Sequence, residues 1–156
     1  MTAVNKMLQV GDKALAFTLT DQDGNMVDVG EKIGKKALVV YFYPKDFSTG
    51  CTMEAHEFRE LHEEFQRNGA EVIGVSSDSV ESHKQFAEEN RLPFTLLSDP
   101  DDRVRDLYGA WAMGGAPGRV TYLIDKQGVI RMVFSSVVQP RKHSHEAMRM
   151  LEEINK

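Results

Sequence analysis

Cysteine is nearly absent from this chain, which carries one, Cys51, in 156 residues. A single cysteine excludes an internal disulfide, and it excludes the Cys-x-x-Cys pair that thiol–disulfide exchange enzymes use. It suits a reducing compartment. The amino-terminal stretch MTAVNKMLQVGDKA also lacks the apolar core of a signal peptide. We therefore expect the protein to stay in the cytoplasm.

Excess positive charge and long apolar runs are lacking too. The net charge of −5 argues against nucleic acid and against anionic membrane as partners. No apolar run is long enough to span a bilayer, and no repeat, low-complexity tract or linker interrupts the chain. With 41% hydrophobic and 28% charged residues, the composition is that of an ordinary globular domain. We expect one domain over residues 1–156.

Short strands and helices alternate along most of the chain. A hairpin is predicted from residues 16–20 and 26–29, which flank a turn at Asp23-Gly24. Strands are further predicted at residues 37–43, 71–76, 94–97, 119–124 and 129–134, and helices at about 51–65, 79–90, 101–108 and 144–154. This order predicts an α/β sandwich with a central mixed sheet, helices on both faces and an extra amino-terminal β-hairpin.

Cys51 lies where a buried strand gives way to a helix. The strand is the unbroken apolar run Ala37–Tyr43, and Pro44 ends it because proline has no amide proton for a ladder. An apolar stripe with helical spacing follows Cys51: Phe58, Leu61 and Phe65. Free amides and the positive end of the dipole at a helix start stabilise a thiolate. We interpret Cys51 as a reactive nucleophile, and the alternative is a small buried hydrophobic residue.

The sequence around Cys51 resembles a known active site. Residues 44–54, PKDFSTGCTME, resemble the peroxiredoxin signature of a proline, a threonine or serine, the peroxidatic cysteine and a glutamate. The run YFYPKD at 41–46 is similar to the bacterioferritin-comigratory, or Q-type, branch. The resemblance spans nearly the whole chain and implies a thioredoxin-like fold. It also implies a thiol peroxidase that reduces hydrogen peroxide and organic hydroperoxides, with no cofactor and no metal.

The resemblance implies a catalytic cycle and its partners. Cys51 becomes a sulfenic acid when it reduces the peroxide, and an external thiol returns it to the thiolate. Thioredoxin, glutaredoxin with glutathione, or another low-molecular-weight thiol are the candidate reductants. A monomer or a homodimer is expected.

Four further residues are candidates for this chemistry. Ser48 can hydrogen-bond the sulfur or the peroxide, or simply cap the helix, and Pro44 can shield the sulfur from water, or simply end the strand. Arg119 resembles the family's second landmark, an arginine that opens a strand two residues before a threonine. Its guanidinium favours the thiolate and can hold a peroxide oxygen. Glu54 is either a charge that suits the first helical turn or the residue that orients Arg119.

Three departures from the family pattern qualify the resemblance. Ser48 and Thr49 stand where the branch more often has threonine and proline, which predicts a looser loop with the hydroxyl retained. The loop at 109–118 is several residues shorter than usual between Trp111 and Arg119. His56 occupies the place, five residues after the nucleophile, where many members carry a resolving cysteine. The chain therefore resembles a one-cysteine member.

Two other functions and one metal site remain as alternatives. A thioredoxin-like exchange enzyme is disfavoured because a second cysteine is lacking. A redox sensor or binding module, in which oxidation of Cys51 changes affinity for a partner, would show one slow oxidation in place of turnover. The segment HSHE at 143–146 could supply metal ligands, but no second ligand cluster with suitable spacing accompanies it.

Overall fold

The computed structural model of the chain describes residues 6–156. The first five residues of the stretch that we expected to lack a signal peptide lie outside the described residues. Among residues 6–156, every helix is too short or too polar to cross a lipid bilayer.

Within residues 6–156, seven strands build a single mixed sheet. They are β1 (Thr18–Asp21), β2 (Met26–Asp28), β3 (Ala37–Phe42), β4 (Ala70–Ser76), β5 (Thr95–Ser98), β6 (Val120–Ile124) and β7 (Ile130–Ser135). Their order in the sheet is β2-β1-β5-β4-β3-β6-β7. The pairs β3–β4 and β4–β5 are parallel and the other pairs are antiparallel. The predicted hairpin is β1–β2, which extends the sheet next to β5.

Helices cover both faces of this sheet. They are α1 (Thr49–Glu60), α2 (His62–Arg67), α3 (Val80–Glu89), α4 (Arg103–Tyr108) and α5 (Lys142–Ile154). Helices α1, α2, α3 and α5 share one apolar core with the sheet, to which Phe58, Phe65, Phe86 and Leu151 contribute. Helix α4 packs on the opposite face, where Val104 and Tyr108 meet β-strand residues. The architecture confirms the predicted thioredoxin-like α/β sandwich with its amino-terminal hairpin.

The predicted helix at residues 51–65 is divided in the structure. Leu61 leaves the helical conformation with φ −97° and ψ 3°, and this separates α1 from α2. The apolar stripe continues across the break, because Phe58 and Phe65 are both fully buried. The spacing of the apolar residues therefore predicted which face of the helix is buried, but it did not predict the break at Leu61.

The start of α1 lies at the carboxyl end of the central strand β3. All six residues of β3 are buried, as the unbroken apolar run predicted. Between the two elements, Phe47 adopts a left-handed backbone with φ 66°. Its ring packs edge-on against Phe86 of α3, with 5.2 Å between ring centroids. This contact joins the loop before Cys51 to α3.

Candidate active site

Cys51 occupies the first turn of α1, as predicted, and its side chain is almost completely shielded from solvent. The residue is 1% exposed. Ser48 is the N-cap: its hydroxyl accepts from the Cys51 amide at 3.4 Å and donates to the Lys45 carbonyl at 3.1 Å. These are the contacts of a helix cap. The role of Ser48 toward a peroxide remains a prediction, and so does shielding by the half-buried Pro44, which is separated from the end of β3 by Tyr43.

Arg119 and Glu54 form a buried pair next to the sulfur. Arg119 Nη1 donates to Glu54 Oε1 at 2.7 Å, and both side chains are nearly or fully buried. Burial alone would lower the pKa of Arg119, but the charges of Glu54 and Cys51, and hydrogen bonds to both, raise it above its ordinary value. The guanidinium therefore stays charged, and it lies close enough to Cys51 to interact with it electrostatically. Two residues far apart in sequence, Arg119 and Cys51, are brought together here.

Gly50 lets the guanidinium approach the helix. A Cβ at this position would lie 2.9 Å from Arg119 Nη2, closer than side-chain carbons normally come to another atom. The backbone of Gly50 is not left-handed, so the requirement is one of space. Arg119 is also anchored from the other side, where Nε donates to the Val137 carbonyl at 3.3 Å.

His143, which the sequence did not identify as a site residue, lies next to the Arg119–Glu54 pair. His143 of α5 is fully buried, and its Nδ1 is 3.5 Å from Glu54 Oε2 and 2.8 Å from the hydroxyl oxygen of Thr121. Its Nε2 is 2.8 Å from the Ser136 carbonyl oxygen. Burial lowers the pKa of His143 to about 4, while burial raises the pKa of Glu54 to about 8 against the opposing effect of Arg119.

The loop between β3 and α1 is held by a second buried network. Asp46 accepts from the Tyr43 hydroxyl at 2.6 Å, lies 2.7 Å from His83 Nδ1, and accepts from Ser82 at 2.9 Å. Its amide donates to Asp78 at 2.8 Å. These bonds connect the loop to α3 and to the end of β4, so the loop is fixed before the helix begins.

Arg105 holds the same region from the opposite face of the sheet. This buried side chain on α4 donates to three carbonyl oxygens, those of Tyr43, Ala110 and Gly118. It thereby joins the end of β3 to both ends of the loop at 109–118. No sequence pattern indicated this role, because an arginine in a short amphipathic helix is usually an exposed charge.

Neither candidate metal cluster is arranged as an open metal site. His143 is buried, whereas His145 is exposed and pairs with Glu57 at 3.0 Å, so the HSHE segment does not converge on one point. Within residues 6–156, Asp46, Asp78 and His83 have ligand atoms within 4.8 Å of one another. Those atoms already take part in the hydrogen bonds of the loop network. These contacts hold the loop between β3 and α1 in place.

His56, which replaces a resolving cysteine, also holds α1 in place. Its Nε2 lies 2.8 Å from Asn90 Oδ1, and Arg59 one turn later donates to the Asn90 carbonyl at 2.7 Å. Both bonds attach α1 to the carboxyl end of α3. His56 is thus a structural contact between helices, and it lies within the same helix as Cys51.

Comparisons with known proteins agree with this geometry. Residues 10–133 match the family model described as the AhpC/TSA family. The chain is 47% identical over 140 residues to a chloroplastic peroxiredoxin Q from Sedum lineare. The aligned region covers 88% of this chain and 75% of that protein. It is 44% identical over 146 residues to the peroxiredoxin Q of Populus jackii, covering 92% of this chain and 68% of that protein.

Solved structures give the same result. Peroxidoxin BcpB from Mycobacterium tuberculosis superimposes with a TM-score of 0.86 at 32% identity, covering 94% of this chain and 98% of that one. The bacterioferritin comigratory protein of Xanthomonas campestris, whose structure addresses alkyl peroxide reduction, gives 0.81 at 30% identity over 90% of this chain and 92% of that one. These neighbours do not favour the alternatives of disulfide exchange or redox sensing.

The expected cytoplasmic location is wrong on this comparison. The plant relatives that match along most of the chain are named as chloroplastic proteins. The expectation rested on the low cysteine count and the composition of the amino terminus. A lone cysteine indicates a reducing environment, and that property does not distinguish one reducing compartment from another.

Proposed function

The chain belongs to the AhpC/TSA family, in its peroxiredoxin Q branch, and from that premise we propose how its side chains carry out the reaction. It is a thiol-dependent peroxidase with a peroxidatic cysteine. We assign the peroxidatic role to Cys51, since it is the only cysteine. The observation that carries the assignment is the burial of Cys51 in the first turn of α1, beside the buried Arg119–Glu54 pair whose guanidinium interacts with it.

In the first step, the Cys51 thiolate attacks the terminal oxygen of the peroxide. The S–O bond forms as the O–O bond breaks, so sulfur loses two electrons and the peroxide oxygen gains them. The leaving alkoxide or hydroxide takes up one proton from solvent and departs as an alcohol or water. Arg119 stabilises the thiolate and then the charge that develops on the peroxide oxygens.

Glu54, Ser48 and Pro44 support this step. Glu54 fixes the orientation of Arg119 through the 2.7 Å bond. Ser48 caps α1 by accepting from the Cys51 amide, which holds the nucleophile in the first helical turn, and Pro44 shields the sulfur from bulk water. Because the Arg119 guanidinium is already in position when the peroxide binds, no reorganisation is needed during the reaction. Preorganised charge of this kind usually accounts for the largest share of the rate enhancement.

The second half of the cycle uses an external thiol. One thiol condenses with the sulfenic acid of Cys51, forming a mixed disulfide and releasing water, and a second thiol reduces that disulfide to restore Cys51. We propose a low-molecular-weight thiol as the reductant that reaches the sulfur most readily, because Cys51 is only 1% exposed. Thioredoxin and glutaredoxin with glutathione are the protein alternatives, and the enzyme acts as a monomer or homodimer.

The test is a peroxidase assay under excess thiol. Purified protein is given hydrogen peroxide or an organic hydroperoxide with each reductant in turn, and peroxide consumption is followed over many turnovers. We expect sustained turnover with wild type and none with Cys51→Ser at an unchanged circular dichroism spectrum. A single oxidation event followed by no turnover with any reductant would contradict the proposal and favour a sensor.

A further inference from the structure

The two carboxyl oxygens of Glu54 have different surroundings. Oε1 accepts from Arg119, whereas Oε2 is buried and has no hydrogen-bond partner among the described residues. Its polar neighbour is His143 Nδ1 at 3.5 Å, beyond a good hydrogen bond. A buried carboxylate oxygen that receives no hydrogen bond costs free energy, so the protonation state of Glu54 requires an explanation.

The hydrogen bonds of His143 assign the protons on its ring. Nε2 lies 2.8 Å from the Ser136 carbonyl oxygen, which can only accept, so Nε2 carries a hydrogen. In a neutral ring, Nδ1 is then an acceptor, and the Thr121 hydroxyl at 2.8 Å donates to it. The single lone pair of Nδ1 is thus taken by Thr121, and Nδ1 has no hydrogen to offer Oε2.

Several charged or titratable groups surround this contact, and Arg119 among them favours a neutral histidine. Arg119 at the start of β6 lies beside it and its charge opposes an imidazolium. Cys51 on α1 and Tyr41 on β3 are close enough to interact with Glu54 or Arg119, and the hydroxyl of Tyr41 is itself buried without a partner among residues 6–156. Lys142 on α5 faces the Phe134 ring, 5.9 Å from its centroid.

Resting on the proposed role of Arg119, we propose that His143 is a positioning residue that keeps Glu54 protonated at neutral pH. The protonated carboxyl still accepts from Arg119 through Oε1 and therefore still orients the guanidinium. It carries no charge, so the positive charge of Arg119 remains available to the Cys51 thiolate and the peroxide. An ionised Glu54 would cancel that charge within hydrogen-bond distance.

The inference predicts a fall in reactivity on the alkaline side. Burial raises the pKa of Glu54 to about 8, so the carboxyl ionises as the pH rises through that value. Arg119 then becomes the partner of a carboxylate and stabilises the sulfur and peroxide less. The second-order rate constant for peroxide, measured by stopped flow, should fall across this range.

Two variants should move this fall in opposite directions. His143→Asn offers an amide hydrogen to Oε2, which favours the carboxylate, so the fall should move to lower pH by about half a unit or more. Thr121→Val removes the hydroxyl that occupies Nδ1, which frees that lone pair for the Glu54 hydroxyl, so the fall should move to higher pH. The control is His145→Asn, an exposed histidine on the same helix, and its profile should match wild type.

Spectroscopy on the folded wild-type protein tests the inference independently of any variant's stability. Nitrogen-15 resonances should report His143 as a neutral ring with hydrogen on Nε2 at neutral pH, and infrared spectra should contain a protonated carboxyl band that Glu54→Gln removes. Burial also raises the pKa of Asp99, but its band would persist in that variant. An imidazolium at His143, a carboxylate at Glu54, or identical pH profiles in all variants would overturn the inference. A wild type that fails to consume peroxide would instead contradict the proposed function.

Discussion

Glu54 Oε1 and Arg119 Nη1 lie 2.7 Å apart in the buried space behind the sulfur of Cys51. Glu54 follows Cys51 by three residues on α1, so the two side chains share one face of the helix. The start of α1 therefore fixes both the nucleophile and the group that orients its charge partner. Arg119 lies directly before β6, the strand next to β3 in the sheet, and completes the site from there.

Removal of Arg119 should slow the reaction with peroxide strongly. We expect Arg119→Ala to lower the second-order rate constant by roughly 100-fold, the usual cost of losing one stabilising group of this type. Alkylation of Cys51 by iodoacetamide at neutral pH should slow in parallel. Arg149→Ala, which removes an exposed arginine of α5, is the matched control. Unchanged rates in Arg119→Ala would remove this residue from the mechanism.

A methyl group at position 50 should separate activity from stability. Gly50→Ala places a carbon 2.9 Å from Arg119 Nη2, so the guanidinium must shift and the rate with peroxide should fall by about tenfold. Alanine is a better helix former than glycine by about 1 kcal/mol, and this gain opposes the cost of moving the guanidinium, so the free energy of unfolding should stay within about 1 kcal/mol of wild type. Stopped-flow kinetics and urea unfolding measure the two quantities, and a wild-type rate would show that the approach at Gly50 is not required.

The sequence predicted those features that depend on neighbouring residues. The buried run at 37–43 gave the central strand, and the position of Cys51 after a polar loop gave the helix start. Glu54 was predicted to suit the first helical turn, to orient Arg119, or both; it lies beyond the first turn of α1 and pairs with Arg119. The strand and the helix start were predictable because periodicity and capping are local properties, whereas the pairing joins residues 65 positions apart and was suggested by the family resemblance.

Side chains that reach the site from distant elements could not be predicted in the same way. His143 was considered only as a metal ligand beside His145, but α5 buries the first and exposes the second. Arg105 and His83 are buried polar residues whose partners lie on other elements. A single sequence shows which face of a helix is apolar, but it does not show what that face meets.

The free energy of unfolding should pass through a maximum at mildly acidic pH. The pKa of Glu54 is raised from 4.5 to about 8, so stability falls as the pH rises from about 4.5 to 8. The pKa of His143 is lowered from 6.5 to about 4, so stability also falls as the pH drops from about 6.5 to 4. The two slopes oppose each other between about pH 4.5 and 6.5, so denaturant titrations should show a plateau there and a loss of stability as the pH rises from about 6.5 to 8. Glu54→Gln should reduce the loss of stability on the alkaline side by at least about 1 kcal/mol. An unchanged loss in this variant would contradict the raised pKa of Glu54.

A cysteine at position 56 should convert the enzyme to a two-cysteine cycle. Five residues of helix separate positions 51 and 56 by roughly 8–9 Å between Cα atoms, beyond the ~7 Å that a disulfide tolerates. The first turns of α1 must therefore unwind, and His56→Cys assists this by removing the bond to Asn90. We expect an intramolecular disulfide after peroxide treatment, resistance to overoxidation and a gain of activity with thioredoxin. His56→Ser, which also loses the bond, is the control; sulfinic acid at Cys51 with a free thiol at 56 would show that α1 does not unwind.

Mass spectrometry of the peroxide-treated wild-type protein tests the central claim most directly. One equivalent of peroxide in the presence of dimedone should give one adduct, on Cys51, because no second cysteine can form a disulfide within the chain. Excess peroxide without dimedone should give the sulfinic acid, and non-reducing gels should show mainly monomer. An unmodified Cys51, or quantitative conversion to a Cys51–Cys51 dimer, would contradict the account of Cys51 as a peroxidatic residue that an external thiol regenerates.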